Sequence, residues 1–151
     1  VAYLHENNIV HRDIKPENVL FESDEEGSSV KLIDFGLSRR HGLNDSAMCA
    51  KVGTPYYMSP GVLNNSYDRS CDLWSIGIVA YILLCGYPPF DGSTDAAVHD
   101  SIRNGSIVFE RDVWGNLSKA SRDFVSKLLC NDSSKIGSAA EALRHPWVSC
   151  T

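Results

Sequence analysis

Residues 11–18 read His-Arg-Asp-Ile-Lys-Pro-Glu-Asn, a polar stretch that lies between two apolar ones. Ile9 and Val10 precede it, and Val19-Leu20-Phe21 follows it directly. A segment this polar is not expected in a core, so the pattern predicts a loop whose two ends are anchored by buried chain. Folded domains commonly present reactive groups on loops of this kind.

The side chains of this loop suit chemistry at a phosphate group. Asp13 could accept a proton, and Lys15 could neutralise negative charge that develops on a reacting group. Asn18 could offer its carbonyl oxygen to a hard cation. The grouping suggests phosphoryl transfer.

Composition limits the partners of the chain. Its 151 residues carry a formal net charge of −5, and the longest basic run is Arg39-Arg40-His41, so we expect no binding to nucleic acid or to an anionic membrane surface. The cysteines form no C-x-x-C pair, and their odd number suits free thiols in a reducing compartment, which predicts a cytoplasmic protein. They are Cys49, Cys71, Cys85, Cys130 and Cys150.

An uncharged run from Leu73 to Phe90 predicts a buried central helix, and not a membrane span, because glycines and Pro88-Pro89 interrupt it. Asp72 stands at the start of this run. It could simply favour the positive end of the helix dipole, or it could hold the backbone of the polar loop from below.

The remaining patterns are shorter. The chain opens with the end of a helix, and the runs at 19–21 and 30–33 predict a β-hairpin beside the polar loop. Asp34-Phe35-Gly36 follows, and residues 37–60 predict one long loop. Three amphipathic helices are expected to finish the chain. They start near Ser93 or Thr94, near Ser118, and at Ser138 with a capping box, the last being stopped by Pro146.

These motifs together resemble the eukaryotic protein-kinase family. The resemblance rests on His11-Arg12-Asp13 with Lys15 and Asn18, Asp34-Phe35-Gly36, Gly53-Thr54, and the runs at 72–77, 86–90 and 145–147. It covers residues 1–151 and implies a mainly α fold, the C-terminal lobe of a kinase. The glycine-rich loop and the strand lysine of the N-terminal lobe would lie upstream of Val1, so we expect the chain alone to bind ATP weakly and to turn over negligibly.

Lys15 and Gly53-Thr54 resemble the serine/threonine branch of the family, and the runs at 67–75 and 145–147 resemble its calcium/calmodulin-dependent and calcium-dependent group. The resemblance implies ATP and Mg²⁺ as cofactors and a protein or peptide with Ser or Thr as substrate. It also implies the N-terminal lobe as a partner and allows a calcium-sensing or calmodulin-binding segment downstream. A kinase-like binding or scaffolding module without catalysis is the alternative.

Roles for individual residues follow from the same resemblance. Asp13 would orient the substrate hydroxyl and accept its proton, Lys15 would stabilise the transferring phosphoryl group, and Thr54 would bridge these two side chains. Asn18 and Asp34 would hold Mg²⁺. Leu20 and Glu17 are assigned to nucleotide binding as well. Leu20 would pack under the adenine, and Glu17 could in addition meet a basic residue of the peptide substrate. His11 would stack on Phe35.

Arg12 is implied to pair with a phosphate or a carboxylate on the activation segment, the long loop after Gly36. Ser46 is the best-placed phosphorylation site, Asp45 could be a permanent substitute, and an unmodified Ser46 is an equal alternative.

The chain departs from the family where an Ala-Pro-Glu run is expected, since it has Ser59-Pro60-Gly61. The arginine that would pair with the missing glutamate aligns with Ile136, unless a shift of one residue lets Lys135 supply the charge. Losing both members of a buried pair can be nearly neutral. We therefore expect a looser substrate-docking loop, destabilised by Gly61→Glu but not by Gly61→Glu with Ile136→Arg.

Overall fold

The computed structural model describes residues 1–42 and 44–149 as a mainly helical domain with two small two-stranded sheets. The α-helices are α1 (Ala2–Glu6), α2 (Pro60–Leu63), α3 (Ser70–Cys85), α4 (Asp95–Asn104), α5 (Arg111–Trp114), α6 (Lys119–Leu128), α7 (Ala139–Leu143) and α8 (Pro146–Ser149). The strands are β1 (Ile9–Val10), β2 (Val19–Phe21), β3 (Val30–Leu32) and β4 (Arg39–Arg40), and single 3-10 turns cover Pro16–Asn18, Pro55–Tyr57 and Ser133–Lys135.

Helix α3 is the predicted central helix. Trp74 and Ile78 are fully buried in it, whereas Leu83 in its last turn is 78% exposed. It ends at Cys85, before the prolines that were expected to stop it. Helix α6 packs closely against α3, because a Cβ at Gly77 would lie within 3 Å of the Leu128 and Leu129 side chains. No helix of the described ranges is long and apolar enough to cross a bilayer.

Strands β2 and β3 form the predicted antiparallel hairpin, with Val19 opposite Leu32 and Phe21 opposite Val30. It is open to solvent, since Leu20 is 49% and Phe21 72% exposed. A second pairing, β1 with β4, breaks the long loop that was predicted for residues 37–60. That loop also contains the 3-10 turn at Pro55–Tyr57.

The three predicted C-terminal helices are α4, α6 and α7, capped by Thr94, Ser118 and Ser138 respectively. The Ser138–Glu141 capping box is formed in both directions. The third predicted helix, α7, ends at Leu143, before Pro146 as expected, and Pro146 begins a further short helix, α8, that the sequence did not predict. Proline is tolerated in the first turn, where its missing N–H would have no partner inside the helix.

The thiols of Cys49, Cys71, Cys85 and Cys130 are free, and Cys49 is exposed on the activation segment. Cys150, which was interpreted in the same way, lies outside the described residues.

Candidate active site

The carboxylate of Asp13 lies at the centre of a hydrogen-bonded cluster between β1 and β2. Thr54 donates its backbone N–H and its hydroxyl to Asp13 Oδ1, at 3.1 and 2.8 Å. Lys15 Nζ lies 2.9 Å from Asp13 Oδ2 and donates to Thr54 Oγ1 at 2.8 Å. Asn18 Nδ2 donates to Asp13 Oδ2 at 3.2 Å and to its backbone carbonyl at 2.8 Å. Thr54 thus bridges Asp13 and Lys15, although the two are far from it in sequence.

Two opposing effects act on the pKa of Asp13. Burial alone would raise it, but the hydrogen bonds from Lys15, Thr54 and Asn18, together with the charge of Lys15, hold the pKa below its ordinary value of 3.8. The hydrogen bond to Asp13 in turn raises the pKa of Lys15 above 10.5, against a smaller opposing effect of burial. At neutral pH the cluster therefore holds an ionised carboxylate beside an ammonium group.

Asp72, at the start of α3, supports this loop from inside the core. It is fully buried, and its two carboxylate oxygens accept the backbone N–H groups of His11 and Arg12 at 2.9 and 2.8 Å. His5 Nε2 lies 2.9 Å from the same carboxylate. These bonds hold Arg12 at a φ of +71°, a left-handed conformation that is unfavourable for arginine. Of the two roles predicted for Asp72, support of the loop backbone is the one that these contacts demonstrate.

His11 links the loop to the segment that carries Asp34. Its Nδ1 accepts the backbone N–H of Asp13 at 3.3 Å, and its Nε2 lies 3.1 Å from the Ile33 carbonyl oxygen. The imidazole also makes the expected contact with Phe35, edge-on at a centroid distance of 5.0 Å. The backbone N–H of Ile33 donates to the Asn18 carbonyl at 2.9 Å. The position of Asp34 is thereby fixed relative to the polar loop of residues 11–18, which is called the catalytic loop below.

The side chains predicted to bind magnesium, Asn18 and Asp34, each have an oxygen that could reach the ion. Asn18 uses its Nδ2 toward Asp13 and has no recorded hydrogen bond at Oδ1 within the described residues, which leaves a carbonyl oxygen for a cation. Asp34 is exposed, and its Oδ1 accepts only the N–H of Gly36, at 3.1 Å. The described part of the chain has no cluster of three His, Cys, Asp or Glu side chains that could hold a metal. One carboxylate and one amide oxygen fit Mg²⁺, which usually takes its other ligands from nucleotide phosphates and water.

The remaining predicted residues face solvent around this cluster. Leu20 lies on the exposed side of the hairpin, and Glu17 is exposed in the 3-10 turn after Lys15. The exposed apolar side chain of Leu20 can pack against a ligand, and the Glu17 carboxylate makes no ion pair or hydrogen bond within residues 1–42 and 44–149.

Arg12 makes no ion pair in the described ranges. Its Nε donates to the Leu37 carbonyl at 2.6 Å, and its Nη1 donates to the Tyr67 hydroxyl at 3.2 Å. Asp45 accepts the backbone N–H of Gly42 at 2.7 Å, so the structure does not bring this predicted substitute to Arg12. Ser46 is exposed, and its carbonyl oxygen lies 3.2 Å from His41 Nε2.

Gly61 and Ile136 line the same small cavity. The cavity lies at the predicted substrate-docking loop, which contains Ser59-Pro60-Gly61 and is called the docking loop below. Ile136 is buried, whereas Lys135 is exposed and pairs with Asp132 at 3.2 Å, so the alternative in which Lys135 supplies the missing charge is not supported. A Cβ at Gly61 would lie 2.9 Å from the Ser66 carbonyl oxygen. A side chain at position 61, where the family has a glutamate, would therefore be crowded by the Ser66 backbone.

Sequence reasoning missed three residues that tie distant segments together. Tyr67 contacts both Arg12 and the activation segment. His5 contacts Asp72, and Arg69 donates to the carbonyl oxygens of His5 and His41 at 2.9 and 3.0 Å. Their partners lie 17 to 67 positions away in sequence, and no local pattern marks such pairs.

Comparison with known proteins agrees with this geometry. The family model described as protein kinase domain matches residues 1–148. The chain is 48% identical to calcium-dependent protein kinase 3 of Plasmodium berghei (strain Anka), over 96% of the chain and 26% of that protein. It is 48% identical to myosin light chain kinase A of Dictyostelium discoideum, over 98% of the chain and 50% of that protein.

A third relative is calcium/calmodulin-dependent protein kinase type 1 of Macrobrachium nipponense, 44% identical over 99% of the chain and 43% of that protein. The chain thus spans between a quarter and a half of the length of these relatives. Since the family model covers nearly all of its residues, the chain belongs to the protein kinase family.

Proposed function

We propose that the full-length gene product transfers the γ-phosphoryl group of ATP to Ser and Thr hydroxyls of proteins, and that residues 1–151 form its C-terminal lobe. The observation that carries this proposal is the cluster of Asp13, Lys15 and Thr54, in which one threonine hydroxyl connects a carboxylate to an ammonium group. A site of this kind presents an acceptor for a proton and a charge for a phosphate within one hydrogen-bonded unit.

Each residue has a defined task in the proposed reaction. Asp13 orients the substrate hydroxyl and accepts its proton as the oxygen attacks phosphorus. Its lowered pKa keeps it ionised for that task. Lys15, with a raised pKa, stays protonated and neutralises charge on the transferring phosphoryl group. Thr54 holds the Asp13 and Lys15 side chains in a fixed position relative to each other. Most of the rate enhancement would then come from positioning and electrostatic stabilisation.

Asn18 and Asp34 are the proposed magnesium ligands. The ion would neutralise negative charge on the phosphate oxygens when bound. The buried Asn18 amide is held by its two bonds to Asp13, which sets the direction of its carbonyl oxygen.

A surface beside the site supports the assignment of a C-terminal lobe. Leu20, Phe21 and Phe35 lie on or just after the hairpin beside the polar cluster, and each is between 44% and 72% exposed. Exposed apolar patches beside a polar site mark places where a ligand or another domain packs. We propose that the adenine and the N-terminal lobe cover this surface.

The names of the relatives suggest how the activity is controlled. Two of them are named for dependence on calcium or on calcium and calmodulin. We propose that the full-length product carries a calcium-sensing or calmodulin-binding segment, which the resemblance to kinases allows. The cytoplasm remains the predicted compartment.

The alternative is a binding or scaffolding module. It draws on Gly61 and Ile136, which replace an ion pair expected in the family, while the intact polar cluster favours catalysis. A module without catalysis has no chemical need for a hydroxyl that connects Asp13 to Lys15.

The deciding experiment measures transfer of labelled γ-phosphate by the full-length product to three peptides whose only hydroxyl is Ser, Thr or Tyr. We expect labelling of the Ser and Thr peptides and not of the Tyr peptide. Asp13→Asn should lower kcat by about 10²- to 10⁴-fold, the usual contribution of a general base.

Asp24→Asn is the matched control, because Asp24 is an exposed residue of the hairpin turn. It should leave kcat unchanged. Binding of ATP without transfer to any peptide, in the presence of calcium and calmodulin, would favour the scaffolding alternative.

A further inference from the structure

Arg12 lies where an acidic or phosphorylated partner is expected, but its guanidinium is matched by neutral oxygens. The Leu37 carbonyl accepts from Nε, and the Tyr67 hydroxyl accepts from Nη1. Asp45 is engaged with Gly42. Arg12 therefore connects the catalytic loop to Leu37 and Tyr67 through hydrogen bonds to uncharged groups, and not through an ion pair.

Tyr67 connects Arg12 to the activation segment. Its side chain is 5% exposed, and its hydroxyl donates to the Ala50 carbonyl at 2.7 Å. A phenol hydroxyl has one donor and two acceptor positions, so it can serve Arg12 and Ala50 together. Its backbone N–H and carbonyl also exchange hydrogen bonds with Met48, at 3.1 and 2.8 Å.

The contacts of Tyr67 precede the active-site threonine by only a few residues. Met48 is 1% exposed and packs into the core, so burial holds Met48 in place, and hydrogen bonds to Tyr67 hold both Met48 and Ala50. Thr54, four residues after Ala50, donates to Asp13. A shift of residues 48–50 would therefore reach the carboxylate through a short piece of chain.

Gly61 makes room for this arrangement. A Cβ at position 61 would lie 3.1 Å from the Tyr67 Cβ, so any side chain there would press on Tyr67. The loss of the expected glutamate and the close packing of the tyrosine are parts of one local structure.

We propose that Tyr67 is a positioning residue whose neutral hydroxyl aligns the activation segment with the catalytic loop, so that the segment is ordered without a phosphate or carboxylate on it. The inference rests on the proposed kinase function for its effect on activity. Its effect on the order of the segment is independent of that function.

The test compares Tyr67→Phe with Tyr81→Phe in the full-length gene product. Tyr81 is also buried, and its hydroxyl donates to the Val108 carbonyl at 2.8 Å in the core around α3 and α5. Each variant removes one buried hydroxyl, so their losses of stability should be similar. Only Tyr67→Phe breaks a contact with the activation segment.

We expect Tyr67→Phe to raise the KM for the peptide roughly fivefold to tenfold, as for the loss of one ordinary hydrogen bond such as that to the Ala50 carbonyl. The KM for ATP should not change. Tyr81→Phe should change neither KM, and Ser46→Ala should keep the activity within about twofold of the unchanged protein, because the order of the segment does not depend on phosphorylation.

Hydrogen exchange supplies a readout without catalysis. Amides of residues 47–52 should exchange faster in Tyr67→Phe than in Tyr81→Phe. Equal exchange in the two variants would overturn the inference, as would loss of activity in Ser46→Ala. If the unchanged protein transfers no phosphate, the proposed function fails, and the exchange comparison still decides the role of Tyr67.

Discussion

Asp72 supports the catalytic loop with a buried charge, whereas Gly61 and Ile136 support the neighbouring docking loop with no charge. Asp72 is fully buried, and three N–H donors from His5, His11 and Arg12 reach its carboxylate, with the Cys71 thiol 3.9 Å from Oδ1. A buried charge is tolerable when its hydrogen-bonding capacity is used in this way.

Gly61 and Ile136 show the other solution. Their cavity has a volume of about 20 Å³, room for about one water molecule, and the Ser66 backbone lies close to Gly61. In both places no buried charge is left without a partner. A buried carboxylate is kept where all of its donors are kept, and no charge remains where the pair is lost.

The largest expected effect is on the charged support. Asp72→Ala should lower the free energy of unfolding by about 3–5 kcal/mol, because it strands the two backbone N–H groups and the imidazole that the carboxylate accepts. Chemical unfolding of the full-length product measures it.

Glu22→Ala is the control for that variant, since Glu22 pairs with Lys31 at 2.7 Å on the exposed hairpin. Its cost should stay below about 1 kcal/mol. Similar costs for the two variants would mean that burial of the Asp72 contacts contributes little.

The next effect is on the uncharged support. Gly61→Glu should lower the free energy of unfolding by roughly 1–3 kcal/mol, because its Cβ presses on the Ser66 backbone and its carboxylate enters a cavity beside Ile136. Adding Ile136→Arg should recover only part of this loss, because the arginine can pair with the glutamate but cannot relieve the crowding of its Cβ. The sequence alone predicts that the double variant loses no stability, whereas the structure predicts that it loses some.

Gly61→Ala separates these two contributions. It introduces the crowding alone, so it should resemble the double variant in melting temperature. If Gly61→Glu and the double variant melt at the same temperature, no ion pair forms between residues 61 and 136.

The smallest effect is the pH dependence of the Asp13 cluster. Because the folded state holds the pKa of Asp13 below 3.8, this carboxylate stabilises the fold above that pH, and the contribution is lost as the pH falls through the folded value. Thr54→Val removes one of the hydrogen bonds responsible. The difference in melting temperature between this variant and the unchanged protein should be constant from about pH 8 to pH 5 and shrink below about pH 4.

Thr94→Val is a matched control, because Thr94 caps α4 through a bond to a backbone N–H and not to a carboxylate. Its difference in melting temperature should not change over the same pH range. A Thr54→Val difference that grew on acidification would contradict the direction assigned to the pKa of Asp13.

The sequence predicts what is encoded locally. The hairpin, the central helix, and the caps at Thr94, Ser118 and Ser138 all lie within a few residues of the signals that predicted them. The resemblance to kinases led to the residues of the polar cluster, although periodicity alone offers no reason for Thr54 to meet Asp13.

What escaped prediction depends on contacts between distant segments. Strand β4 has only two residues and exists because it pairs with β1, about 30 positions earlier. Tyr67 belongs to the run at 67–75 that carries the resemblance to kinases, but nothing in that run indicates which residues its hydroxyl contacts. Its role appears only when Arg12 and Ala50 are brought together by the fold.

The close approach of the Ser66 backbone to Gly61 restricts which residues position 61 can accept. A single substitution that restores a side chain meets the Ser66 carbonyl before it can meet any partner at residue 136. An ion pair between residues 61 and 136 would need changes at both positions and a shift of the Ser66 backbone. A library of substitutions is therefore expected to tolerate fewer residues at position 61 than at its exposed neighbours.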